Sequence, residues 1–177
     1  MDESWSRGRH LRVEIARQCL GLYEDRRCLA EYRVSTGLNG VGELYGSGCT
    51  PRGLHRVRLR IGDGCPIGTV FKARRPTGEI YDAALAAAHP ERDWILTRIL
   101  WLSGCEPGRN RGGMVDTLRR FIYIHGCPDT EPMGVPRSHG CIRMHSEALI
   151  HLFDRTPVGT PVMLIEREAP STRLRWT

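Results

Sequence analysis

Short stretches in which apolar and polar residues alternate constrain the fold of this chain more than any other feature. Residues 10–19 and 54–61 show this alternation, which has the period of a half-buried β-strand. Residues 94–102, 121–125 and 162–165 are apolar runs of strand length. The pattern therefore predicts a mainly β domain.

Turn and helix signals lie between these strands. The polar run Glu24-Asp25-Arg26-Arg27 predicts a hairpin turn, and the glycine-rich residues 37–53 predict a loop. Residues 79–88 predict a short helix, and a clearer helix begins at Ser146, which can cap it, with His145 at its start. We expect a single domain over residues 1–177, with a core of about 11–166.

Composition excludes some functions and leaves others open. The net charge is +6, and all basic residues except Lys72 are arginines, which bind carboxylates and phosphates through paired hydrogen bonds. An anionic partner is one interpretation, and an arginine-biased codon usage is the other. Nucleic acid is not expected, because the arginines are scattered and aromatic residues make up only 7% of the chain.

The cysteines and the first residues bear on location. Seven cysteines leave at least one free thiol, and no apolar run reaches the length of a membrane span. No export signal is visible at the start of the sequence, so we expect a cytoplasmic protein with reduced cysteines. A signal peptide removed before the first residue would indicate the periplasm instead.

Two short segments carry the residues suited to catalysis. His125-Gly126 ends an apolar strand, and Ser138-His139-Gly140-Cys141 follows, with twelve residues between His125 and Ser138. A thiol beside an imidazole can ionise near neutral pH and attack a carbonyl, and amides around Gly140 could hold the resulting oxyanion. The structural alternative is that each is an ordinary buried residue, and we adopt it for five other cysteines: Cys28, Cys49, Cys65, Cys105 and Cys127.

A zinc site is the competing interpretation of the same segments. His125-Gly126-Cys127 and His139-Gly140-Cys141 are two His-x-Cys pairs separated by eleven residues. One residue between ligands is tighter than the usual zinc spacing, and the chain has no Cys-x-x-Cys pair. We therefore predict no metal and no other cofactor.

The run from Ser138 to Met144, preceded by Ile124-His125-Gly126, resembles the signature of the L,D-transpeptidase (YkuD-type) family. The resemblance extends over residues 11–166 and includes Thr50-Pro51-Arg52-Gly53 and Pro66-Ile67-Gly68-Thr69. It implies a β-sandwich catalytic domain with one or more short helices. The implied substrate is a peptidoglycan stem peptide, usually with meso-diaminopimelate as its third residue and D-alanine as the leaving group.

The resemblance also implies roles for the residues of the signature. Cys141 would be the nucleophile and His125 the general base, with the carbonyl of Gly126 orienting the imidazole ring. The amides of His139, Gly140 and Cys141 would form the oxyanion hole.

The same signature implies substrate contacts. Ser138 and His139 would shape the loop, and Ser138 is a candidate substrate contact. Arg143 would meet a substrate carboxylate. We interpret Arg109 and Arg111 as surface charge.

The resemblance leaves the fate of the acyl-enzyme open. A member without an export signal is similar to the L,D-carboxypeptidases of cell-wall recycling, which trim a tetrapeptide to a tripeptide. The alternative is an L,D-transpeptidase that forms 3-3 crosslinks or exchanges D-amino acids. A weaker alternative is an inactive domain that binds muropeptides.

Overall fold

Most of the protein is one curled sheet of ten strands, which confirms the mainly β prediction. The structure is a computed structural model and describes residues 3–166. The strands are β1 (Arg9–Glu14), β2 (Cys19–Glu24), β3 (Arg27–Arg33), β4 (Gly53–Ile61), β5 (Thr69–Lys72), β6 (Arg75–Ile80), β7 (Ile95–Gly104), β8 (Tyr123–Cys127), β9 (Ile142–His145) and β10 (Pro161–Ile165). The helices are α1 (Ala83–Ala88) and α2 (Ser146–Phe153).

The strand order places β8 beside the longest strand, β7. The sheet runs β3-β2-β1-β10-β4-β7, and the hairpin β5-β6 also joins β7. β8 pairs with β7 in antiparallel fashion and with β9 in parallel. The two segments of the catalytic signature therefore lie on neighbouring strands.

Helix α2 packs on the sheet and closes the main core. Its side chains Leu149, Leu152 and Phe153 are fully buried, together with Leu100 of β7 and Ile124 of β8. Burying a side chain of this size contributes roughly 1.5–3 kcal/mol, so the helix is held mainly by this apolar face. Neither helix of the described chain has the length and apolar character needed to cross a membrane.

Several local predictions are confirmed and others are corrected. The hairpin predicted around residues 24–27 is formed by β2 and β3. The first predicted strand is shorter than expected, because Gln18 adopts a left-handed conformation (φ 50°) after a single 3-10 turn over Ile15–Arg17. Ser146 is the first residue of α2 rather than its cap, and His145 holds the cap position. The domain prediction of 1–177 includes residues 1–2 and 167–177, which lie outside the described residues.

Candidate active site

The pairing of β8 with β9 brings the predicted nucleophile and base to one face of the sheet. Tyr123 and His125 alternate along β8 and share a face. In the parallel register, His125 lies opposite Arg143, so Cys141 lies beside Tyr123. The backbone N–H of Tyr123 contacts the Cys141 sulfur at 3.4 Å.

The surroundings of the Cys141 sulfur favour the neutral thiol. Its Sγ donates to the carbonyl of Phe121 at 3.4 Å and packs against Tyr123 and Ile99. Burial raises the pKa of Cys141 to about 12, although the N–H of Tyr123 partly opposes the shift. The expectation that this thiol ionises beside the imidazole stays a prediction.

The His125 imidazole is a neutral base with a defined tautomer. Its Nδ1 lies 2.8 Å from the carbonyl of Gly126, which only accepts hydrogen bonds, so Nδ1 carries the proton and Nε2 is free to accept one. Burial lowers the pKa of His125 to about 4, and the bond to Gly126 partly offsets this shift. With Nδ1 protonated, Nε2 is the ring nitrogen that can accept a proton from a neighbouring group.

A bulge in β7 explains why residue 126 is glycine. Opposite His125 the register shifts between Leu96 and Ile99, and Thr97 adopts φ 70°. A Cβ at position 126 would lie 2.4 Å from the carbonyl oxygen of Leu96. This close approach fixes the Gly126 carbonyl, which in turn fixes the imidazole.

The loop before Cys141 is braced from within and from outside. The Ser138 hydroxyl donates to the carbonyl of Cys141 at 2.6 Å and accepts from the amide of Gly140 at 3.1 Å. Outside the loop, Thr50 Oγ1 donates to the carbonyl of Gly140 at 3.0 Å. The Gly140 amide is thus engaged, which leaves the amides of His139 and Cys141 as candidates for an oxyanion hole.

Ser138 contributes to the shape of this loop rather than to an open surface. It is buried, and both hydrogen bonds of its hydroxyl go to loop backbone. Its contact with substrate stays a prediction.

Arg143 is paired with acidic side chains rather than free. Its side chain is 11% exposed, and its Nη2 lies 2.7 Å from Asp93, with Glu131 at 3.9 Å. The other oxygen of Asp93 lies 3.5 Å from His139 Nδ1. These residues line a hollow of about 630 Å³. A contact between Arg143 and a substrate carboxylate stays a prediction. Asp93 lies in a loop without a motif, so the sequence did not predict its place in this site.

Aromatic residues lie next to the backbone groups that contact the Cys141 sulfur. Trp101 and Phe121 border a second hollow of about 490 Å³. The Arg74 guanidinium lies 4.9 Å from the centres of both rings and donates to the Tyr123 hydroxyl at 3.4 Å. Burial raises the pKa of Tyr123, and the neighbouring Arg74 opposes this shift.

The remaining candidates lie elsewhere. Arg109 pairs with Glu106 at 2.7 Å beside a different hollow, and Arg111 is exposed. Cys127 is buried, with its sulfur 3.5 Å from the carbonyl of Met144. Within residues 3–166, no three histidine, cysteine or acidic side chains converge as a metal site would require.

Known proteins share both the sequence pattern and the fold. The family model of the YkuD L,D-transpeptidase catalytic domain matches residues 8–164. A putative L,D-transpeptidase, YqjB of Bacillus subtilis, is 45% identical over 47 residues, which is 27% of this chain and 27% of the relative.

Solved structures share the fold at low identity. An L,D-transpeptidase from Xylanimonas cellulosilytica superposes with a TM-score of 0.52 at 22% identity, covering 90% of this chain and 61% of that one. L,D-transpeptidase 3 from Mycobacterium tuberculosis, in complex with a faropenem-derived adduct, superposes with a TM-score of 0.56 at 15% identity. This superposition covers 90% of this chain and 60% of that one. This chain thus spans about three fifths of each of these two solved chains.

Proposed function

The chain belongs to the L,D-transpeptidase (YkuD) catalytic-domain family, and from this membership we propose that it is an L,D-carboxypeptidase that removes the terminal D-alanine from peptidoglycan tetrapeptides. The family is one of acyl-transfer enzymes that act on peptidoglycan peptides. The observation that carries the proposal is the placement of Cys141 and His125 on one sheet face, with His125 Nε2 free to accept a proton.

The first half of the proposed reaction forms a thioester. His125 Nε2 takes the thiol proton as Cys141 Sγ attacks the carbonyl carbon of the third residue. The amides of His139 and Cys141 stabilise the oxyanion. When the tetrahedral intermediate collapses, the C–N bond breaks and the imidazolium gives its proton to the amine of D-alanine.

The second half releases the tripeptide. Water attacks the thioester while His125 removes its proton, and the Cys141 sulfur leaves and is reprotonated. Cys141 is partly exposed, which supports access of water to the thioester. Hydrolysis needs no further subsite, whereas transfer needs a bound acceptor amine.

The second candidate is an L,D-transpeptidase that forms 3-3 crosslinks or exchanges D-amino acids. One hollow is lined by His139 and Arg143, and another by Phe121, whose carbonyl contacts the Cys141 sulfur; the two offer room for a donor and an acceptor peptide. A muropeptide-binding domain without activity is the weakest candidate, because both Cys141 and His125 are present.

Product analysis by mass spectrometry separates these candidates. The protein is incubated with a disaccharide-tetrapeptide, alone and with an excess of a D-amino acid or a second tetrapeptide. Tripeptide and free D-alanine as the main products in every case support the carboxypeptidase. Crosslinked dimers or exchange products in the majority would establish the transpeptidase, with Cys141→Ala as the inactive control.

A penem separates an enzyme from a binding domain. We expect faropenem to add its mass to Cys141, by analogy with the adduct carried by the relative from Mycobacterium tuberculosis. Absence of both adduct and turnover would favour the binding domain. A cytoplasmic location stays a prediction, to be tested by cell fractionation.

A further inference from the structure

Two arginines near Cys141, Arg120 and Arg143, already interact with other groups of the protein. Arg120 donates to the carbonyls of Gly42 and Cys49. Arg143 forms a short ion pair with Asp93. Both guanidinium groups therefore already have part of their donors occupied by protein oxygens.

Arg74 is different. Its guanidinium stacks on the rings of Trp101 and Phe121 and makes one long hydrogen bond, to the Tyr123 hydroxyl. Within the described part of the chain, no carboxylate lies within 4.0 Å of it. The backbones of Phe121 and Tyr123 both contact the Cys141 sulfur, so Arg74 sits on the very residues that hold the nucleophile.

The turn that carries Arg74 is an unusual one for its sequence. Lys72 pairs with Arg75, so Ala73 and Arg74 form a two-residue hairpin loop, with φ of 48° and 67°. Such turns normally use Asn-Gly, because side chains disfavour the left-handed region. Strained backbone of this kind is typical of functional sites, and here it places Arg74 over the aromatic rings.

The proposed reaction places a substrate carboxylate close to Cys141. In the leaving residue, the carboxylate carbon is three bonds from the attacked carbonyl carbon, which puts the two at most about 4 Å apart. A guanidinium with free donors binds a carboxylate through two parallel hydrogen bonds. We propose that Arg74 binds the C-terminal carboxylate of the leaving D-amino acid and so selects peptides with a free C-terminus. This assignment rests on the proposed function.

The test compares two substrates that differ only at this carboxylate. The kcat/KM for Cys141 acylation is measured with a tetrapeptide acid and with its C-terminal amide. We expect the wild type to prefer the acid by about 10-fold to 100-fold, the range for a charge-assisted pair. Arg74→Gln should lose this preference while acylation by the amide stays within about 3-fold of wild type. Arg74→Lys should retain part of it, since lysine keeps the charge without the planar fork.

A matched control lies in the same hairpin. Arg75 is exposed, and Arg75→Gln makes the same change in charge one residue away, so it should leave the preference unchanged. An equal fall for acid and amide in Arg74→Gln would mean that Arg74 only stabilises the hairpin, and would overturn the proposal. So would a wild type without any preference, or an Arg74→Gln variant that keeps it.

The readout also separates this proposal from the proposed function. Acylation precedes both hydrolysis and transfer, so the acid-to-amide ratio is measured in the same way whichever products form. If crosslinked dimers replace the tripeptide, the carboxypeptidase assignment fails while the ratio still decides the role of Arg74. Thermal melts of each variant check that the comparison is made between folded proteins.

Discussion

Thr50 links the glycine-rich loop to the catalytic loop, and Thr50→Val tests that link without changing the shape of the side chain. The residue is fully buried. Its Oγ1 accepts from the amide of Gly37 at 2.8 Å and donates to the carbonyl of Gly140 at 3.0 Å. Both glycines are buried, so valine would leave a donor and an acceptor without partners. At about 1–3 kcal/mol for each of the two unsatisfied groups, we expect a loss of roughly 2–6 kcal/mol in the free energy of unfolding.

This loss is measured by thermal unfolding and by the rate of Cys141 acylation. For a chain of this length, each kcal/mol lowers Tm by about 2–4 °C, so Thr50→Val should melt roughly 4–24 °C lower. Because the Gly140 carbonyl is adjacent to Cys141, acylation should slow by about 10-fold to 100-fold. Thr50→Ser keeps the hydroxyl and loses one methyl group, which costs about 1 kcal/mol. A valine variant as stable and as active as the serine variant would refute the role of the hydroxyl.

Four further predictions concern the nucleophile, the base, the strand contact and metals. Cys141→Ala should abolish turnover while Cys127→Ala, at a buried position away from the reacting atoms, keeps most of it; the reverse result would identify Cys127 as the nucleophile. The acylation rate should stay level from about pH 5 to 9 and fall as His125 gains a proton near pH 4. The reason is that the pKa of His125 is lowered to about 4 and that of Cys141 is raised to about 12. A fall in the acylation rate centred near pH 6.5 would instead indicate a base that is not buried. Gly126→Ala should lower stability by about 1–3 kcal/mol and slow acylation at least as much as Thr50→Val, because its Cβ would lie 2.4 Å from the Leu96 carbonyl oxygen; a wild-type rate would show that the strands can separate harmlessly. Chelators should not lower activity, and elemental analysis should find no stoichiometric zinc; an ion lost together with activity would favour the zinc interpretation.

Local patterns in the sequence predict most of the strands, and the reason is physical. In β4 and in the hairpin of β2 and β3, alternation and turn residues are sufficient because neighbouring strands need only a buried face and a tight turn. The prediction for Ser146 as a helix cap is wrong for a tertiary reason: its hydroxyl bonds Thr97 Oγ1 at 2.6 Å, a residue 49 positions away. Only the folded sheet brings these two side chains together.

The supporting residues of the site were harder to predict than its signature. His125 and Cys141 stand next to glycines in a recognisable spacing, so their types and neighbours are informative. Asp93 and Arg74 come from a loop and a hairpin tip, where the same residues are usually solvated surface charge. Their contacts depend on where β7 places these segments, which a pattern of single residues does not contain.

The register between β8 and β9 decides whether the chemistry is possible at all. A slip of one residue would turn Cys141 to the opposite face from His125, because side chains alternate along a strand. Parallel strands need a long connection, and residues 128–141 provide one that contains no helix and so cannot set the register by packing. The register is held from both edges instead. On one edge the bulge at Thr97 accepts only glycine at position 126, and on the other Ser35 exchanges backbone hydrogen bonds of 3.0 and 2.8 Å with Arg143. Ser35 lies at the start of the same loop that Thr50 ties to Gly140, so the glycine-rich segment fixes both the strand that follows Cys141 and the loop that precedes it.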